Sequence, residues 1–241
     1  MSDFLAYNAV FTVFGIRCMG KPIRYVALGD CNTVGEISNM GNAYPERVAK
    51  QQDWALENYG YTMSTTREGL QFFNLKDVKN ADILSIQYGL VDSWLTFKGS
   101  PFVLYYPDSP WRKFLRKIVK KIKKYARKLN WHSVVGQANV VPVAEYKQNI
   151  TYMIEQTQAK YILLLDIAPN KDMSREPQTL IYNQALHDLA DGKRILHISY
   201  YDELKQNLDL YYDDSTHLSS VGQDVVTAKV LAALSAVEQK M

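Results

Sequence analysis

The stretch "IRYVALGDCNTVG", residues 23–35, decides how the rest of the chain reads. Its first six residues are an apolar, β-favouring run that suits a buried strand. Gly29-Asp30 follows as a tight turn, and Cys31 stands where the chain leaves the sheet. Similar runs recur at 55–61, 81–88, 160–167 and 194–199. Helical patterns lie around them, at about 44–53, 65–72, 110–130, 142–158, 175–190, 201–207 and 219–239. This alternation predicts an α/β protein with a five-stranded parallel sheet, covered by helices on both faces. Crevices in such sheets open beyond the carboxyl ends of the strands. Three segments should meet there: "GDC" after the first strand, "GLVDS" after the third, and "YYDDSTHLSS" before the last helix.

A chain of 241 residues is long enough for one α/β domain with a full core. Residues 21–241 are read as that single domain and 1–20 as an N-terminal arm. The segment 4–16 is apolar but has no basic residues before it and no clear cleavage site, so a signal peptide is not expected. No apolar run looks long enough to span a bilayer. Two cysteines imply no disulfide framework and fit a reducing, cytoplasmic setting. The four histidines and two cysteines show no metal-ligand spacing, so no metal or organic cofactor is expected.

Acyl transfer needs a nucleophile, a base, a group that orients the base, and donors for the oxyanion. Cys31 suits the first role, His217 the second, and Asp214, three residues before His217, the third. Backbone N–H groups at the start of the helix after Cys31 suit the fourth. Each signal alone is commonplace: a lone cysteine after a strand is usually core. Asp30 and Asp92 read as braces that accept backbone N–H bonds rather than as acids or bases. Asp166 reads either as a crevice residue or as a strand-end cap. His132, His187, His197 and Cys18 are assigned no chemistry.

Together, Gly29-Asp30-Cys31, Gly89-Leu90-Val91-Asp92 and Asp214-Ser215-Thr216-His217, followed by Leu218 and Gly222, resemble the SGNH/GDSL hydrolase superfamily. The resemblance runs from about residue 23 to the end. It implies a three-layer, flavodoxin-like α/β/α sandwich and an esterase, lipase or acyltransferase activity on a small-molecule or glycan acyl substrate. It also implies a triad of nucleophile, Asp214 and His217. Three positions depart from the pattern. Cys31 replaces the nucleophilic serine. In "NYGYTMSTT" (58–66), Gly60 matches the first glycine of the second motif, while Met63 stands at the oxyanion glycine. After Gly89, Val91 replaces the asparagine whose amide would serve the oxyanion, leaving an apolar wall. The Gly-x-Val-Asp version is similar to members associated with bacterial surface polysaccharide.

Residues 111–131, "WRKFLRKIVKKIKKYARKLNW", hold ten Lys/Arg and no acid, whereas the rest of the chain has 18 basic against 25 acidic residues. Their apolar residues fall on one helical stripe opposite a cationic face. A packed surface helix is the plain reading, yet ordinary charged faces mix signs. An anionic membrane surface or an acidic carrier is therefore a candidate partner, with the protein peripheral at the inner membrane face. Nucleic acid is disfavoured because no known binding fold accompanies the patch. Two functions stay open: an acyl-ester hydrolase or acyltransferase using Cys31, His217 and Asp214, and a catalytically lapsed binding or scaffold protein at the membrane or in polysaccharide assembly.

Overall fold

The structure is a computed structural model and describes residues 21–238. The expected arm at 1–20 lies outside the described residues. Five strands form the main sheet: β1 (Arg24–Gly29), β2 (Ala55–Gly60), β3 (Ile83–Gln87), β6 (Tyr161–Leu165) and β7 (Ile195–Ile198). All neighbours are parallel, in the order β2-β1-β3-β6-β7. The order reverses between β1 and β3, so a crevice opens where these two strands end. The helix expected after Cys31 is a single turn, α1 (Cys31–Val34), and the antiparallel ribbon of β4 (Leu95–Phe97) and β5 (Gln137–Asn139) was not foreseen.

Strand alternation sorts the core into two layers. Val26, Leu28, Leu84, Ile86, Ile162 and Leu164 face α3 (Thr66–Leu75), α6 (Val143–Gln156) and α7 (Glu176–His187). Tyr25, Ala27, Leu163, Leu165, Leu196 and Ile198 face α2 (Tyr44–Gln52) and α10 (Ser220–Glu238). The central strands β1, β3 and β6 are thus buried on both faces and read as near-continuous apolar runs, whereas the edge strand β2, ALENYG, is largely half-buried. By length and composition α10 is long and apolar enough to cross a bilayer over Ser220–Val237, contrary to the sequence expectation. In the fold it covers the sheet through Val226, Val230 and Leu234.

The carboxyl edge is braced by a buried polar chain. Thr33 donates to Gln87 at 2.7 Å, Gln87 to the Tyr200 hydroxyl at 2.6 Å, and Tyr200 to the Asp166 carbonyl. The Asp166 carboxylate accepts from His197 and from the backbone N–H groups of Tyr200 and Tyr201. Asp166 is therefore a strand-end cap.

The basic segment hangs from the ribbon. It forms α4 (Pro110–Lys128) and α5 (Trp131–Val135), and the pairing of β4 with β5 returns the chain to its point of departure. The helix starts at Ser109, whose hydroxyl accepts from the Arg112 N–H, with Pro110 in the first turn. The sequence leaves open which face packs. Leu115, Val119 and Ala126 turn toward the body, whereas Trp111, Phe114, Ile118, Ile122, Tyr125 and Leu129 are exposed. The short helices α8 (Tyr201–Lys205) and α9 (Leu208–Tyr211) lead into the last loop.

Gly60 ends β2 against α1. A Cβ there would stand 2.5 Å from the Val34 nitrogen and 2.9 Å from the Thr33 carbonyl carbon. Backbone cannot yield as a side chain does. Gly60→Ala should therefore cost about 1–3 kcal/mol in a urea melt, and a cost near zero would show that α1 moves freely.

Candidate active site

Cys31 opens α1 directly after β1. Asp30 fixes this turn: its carboxylate accepts the Asn32 N–H at 3.0 Å, and its carbonyl accepts those of Thr33 and Val34. Among the described residues no backbone partner accepts the Cys31 N–H. The Cys31 side chain is buried. Burial, and then the negative charges of Asp30 and Glu36, push its thiol up. Burial likewise pushes Asp30 up to about 7, with the Asp92 charge adding to it and the Asn32 N–H opposing.

His217 arrives on the loop between α9 and α10, which is pinched shut by a bridge from Tyr212 to Leu218. One Asp214 oxygen accepts the N–H groups of Thr216 and His217, both at 2.7 Å. The other lies 2.7 Å from His217 Nδ1. Burial pushes the Asp214 carboxyl up, but those N–H groups and the imidazole outweigh it and hold the carboxyl below its ordinary value. The Asp-x-x-His spacing works because one carboxylate caps the turn and aims the ring.

Two residues that the sequence reading missed complete the arrangement. Asn32 donates to the Thr216 carbonyl at 3.3 Å and accepts the Leu218 N–H at 3.0 Å, holding both peptide groups beside His217. Glu36 sits 2.9 Å from His217 Nε2 and accepts from the Thr62 hydroxyl. It lies just past Gly35, between two left-handed residues, Gly35 at φ 77° and Ile37 at φ 67°. Donor atoms of Cys31, Glu36 and His217 all lie within 4.8 Å of one another. Among the described residues no hydrogen bond joins the thiol to the imidazole; Glu36 holds the nitrogen that would accept the proton. Thiol, carboxylate and imidazole are also zinc donor types, a grouping the spacing of cysteines and histidines alone does not reveal.

The other candidates separate into walls and braces. Met63 adopts φ 61°, the left-handed conformation that suits glycine, as its motif position implies. Its N–H makes no hydrogen bond among the described residues. Met63 and Val91 line a cavity of about 720 Å³ that extends beneath α4. Gly60 and Gly89, expected at the pocket, do not line this cavity. The Gly60 N–H is spent on the Asn58 side chain at 2.8 Å. Gly89, at φ 129°, packs so closely that a Cβ would meet Ile167 at 2.2 Å. Both glycines serve close packing. Asp92 accepts the Thr66 N–H at 2.9 Å and hydroxyl at 2.6 Å, tying the segment after β3 to the start of α3. Its second oxygen is buried without a partner.

Residues 27–225 match the model of the GDSL-like lipase/acylhydrolase family, and the chain belongs to that family. Among curated proteins none matches the sequence. Several solved structures share the fold. A lipase/acylhydrolase from Enterococcus faecalis is 17% identical with a TM-score of 0.59, covering 87% of this chain and 94% of its own. A catalytic mutant of Axe2, an acetylxylan esterase from Geobacillus stearothermophilus, is 16% identical with a TM-score of 0.57, covering 87% and 92%. A member of the lipolytic protein G-D-S-L family from Veillonella parvula DSM 2008 is 12% identical with a TM-score of 0.56, covering 86% and 96%. At these identities the likeness establishes fold alone.

Asp92 should make stability depend on pH. Burial raises it from 3.8 to about 7, against the opposing Thr66 bonds. Between those values the folded chain keeps a proton that the unfolded chain has released. This contribution is complete at low pH and is lost as pH rises toward 7. Asp92→Asn should lessen the fall in unfolding free energy across that window by up to about 1.4 kcal/mol per pH unit. Urea melts from acid to neutral pH would show it, and an unchanged slope would mean that Asp92 is ionised throughout.

Proposed function

We propose that the protein is an acyl-ester hydrolase or acyltransferase acting on a carbohydrate or related envelope substrate, with Cys31 as nucleophile, His217 as base and Asp214 orienting it. The Asp214 contact at His217 Nδ1, with the imidazole beside Cys31, carries this reading. In the first step the Cys31 sulfur bonds to the acyl carbonyl carbon while His217 Nε2 takes the thiol proton. The alcohol then leaves with that proton, and a thioester remains. Water or an acceptor hydroxyl, deprotonated by His217, releases the acyl group and restores the thiol. The N–H groups of Cys31 and Met63 serve the oxyanion. Thioester chemistry favours transfer, because the intermediate is close in energy to acyl-thioester donors. Glu36 must first leave His217 Nε2, so the described state is a resting one.

The second reading, a lapsed binding or scaffold protein, draws on Glu36 itself, which occupies the base, and on the burial that holds the thiol protonated. An acyl-ester activity probe separates the two. The working enzyme is labelled at Cys31, and Cys31→Ala abolishes the label. Glu36→Ala removes a charge-assisted contact of roughly 1.5 kcal/mol and should speed labelling about tenfold. No label on either the natural chain or Glu36→Ala would sink the catalytic reading.

We further propose that α4 attaches the protein to an anionic bilayer, placing it at the cytoplasmic face of the membrane. The support is its exposed stripe, which runs from Trp111 to Leu129 beside a cationic face. An acidic carrier would use the cations without the stripe. Phe114→Ser with Ile118→Ser should abolish sedimentation with phosphatidylglycerol vesicles, whereas phosphatidylcholine vesicles should bind neither form. Binding that survives the double substitution would show that the cations act without the stripe and would overturn this mode of attachment.

A further inference from the structure

The cavity beneath α4 has a composition that the acyl chemistry does not require. One wall is apolar, built from Phe97 of the ribbon, Phe102 and Val103 of the following loop, and Val119 of α4. The α4 part of the lining also carries Lys120, Lys123, Lys124 and Arg127. None of these four side chains has an ion pair or hydrogen bond among the described residues, whereas the side chains of Lys113 and Arg116 on the same helix both pair with Asp108. Burial, and then the Arg127 charge, push the Lys123 ammonium down, so this cation lacks both full hydration and a counter-charge. A third observation is independent of charge: the indole N–H of Trp94, which also lines the cavity, is buried with no acceptor. Unpaired buried donors are uncommon in native structures, and four adjacent cations without an acid repel one another.

We propose that this cavity binds an anionic amphiphile, a molecule with an apolar chain and a phosphate-class head. The chain lies against Phe97, Phe102, Val103 and Val119, and the head against Lys123 and Arg127. At about 720 Å³ the cavity is within the range of small-molecule sites and too large for a bare anion. Met63 and Val91 form part of the same lining, so the bound molecule reaches the oxyanion side of the site. That the amphiphile is the acyl donor rests on the catalytic reading above; that it binds does not.

The test therefore uses the Cys31→Ala protein, which cannot turn over. Dodecyl phosphate, kept below its micelle concentration, is titrated by calorimetry beside dodecyl maltoside and inorganic phosphate. Dodecyl phosphate should bind at least about tenfold tighter than either, since charge-assisted contacts add to chain burial. Lys123→Gln with Arg127→Gln should weaken it about tenfold and leave dodecyl maltoside unchanged. Val119→Trp fills the apolar side and should block both amphiphiles. A competition arm identifies the source of the head group. Displacement by phosphatidylglycerol vesicles assigns a bilayer lipid and persistence assigns a soluble phosphorylated amphiphile, and both support the site. Equal affinity for the phosphate and the maltoside, or no effect of the double substitution, overturns the proposal. If dodecyl phosphate binds but no acyl probe labels Cys31 in the natural chain, the cavity stands and the catalytic reading falls.

Discussion

The side chain of Asn32 is the joint on which the site depends. Its amide holds the two peptide groups that flank His217, 184 and 186 residues further along the chain. The backbone carbonyl of Asn32 accepts from the Gln223 side chain at the start of α10, and the Gln223 side-chain oxygen in turn accepts the Tyr44 N–H at the start of α2. One buried network thus locks the turn after β1, the His217 loop and the two helices that cover one face of the sheet. Buried polar networks that are fully satisfied fix a single geometry. The approach of His217 to Cys31 is consequently a property of the fold. It does not depend on whether oxygen or sulfur stands at position 31, so a change of nucleophile leaves the frame intact.

Residues with local, periodic signals were legible in the sequence. The central strands β1, β3 and β6 read as apolar runs because both their faces are buried, and Asp214 with His217 read as a pair because they lie in one turn. Asn32 and Glu36 carry no such signal. Both act through long-range contacts, and neither an asparagine inside a turn nor an acid past a glycine is informative alone. Gly60 and Gly89 carry two readings for a related reason. A motif glycine can mark a place where backbone passes close to backbone, and spacing cannot separate that from a place where substrate passes. The ribbon of β4 and β5 is only three residues a side, too short for alternation to show.

The basic helix shows where periodicity stops. Hydrophobic spacing identifies an amphipathic helix but not what its apolar face meets. Here the exposed stripe and the inward residues Leu115, Val119 and Ala126 are adjacent arcs of the same surface, so a helical wheel merges them. The ribbon, together with the bonds from Arg116 to the Leu104 and Tyr105 carbonyls and to Asp108, sets which arc turns in. The cations that line the cavity follow from that rotation.

Val91 links the two halves of the molecule. An amide donor at this position would stabilise an oxyanion, and losing one such donor typically slows acyl transfer by about 10²–10³. Valine instead continues the apolar lining of the cavity beneath α4. Chain burial in that cavity is worth roughly 0.8 kcal/mol per methylene, so four or five methylenes would match the lost donor in free energy. The match improves the rate only if the chain is held more tightly in the transition state than before it. A chain that positions the carbonyl against the Cys31 and Met63 N–H groups meets that condition. A chain that merely adds affinity does not, and the site would then hold its ligand without turning it over. The positioning of the carbonyl by the cavity therefore separates an enzyme from a binding protein on this frame.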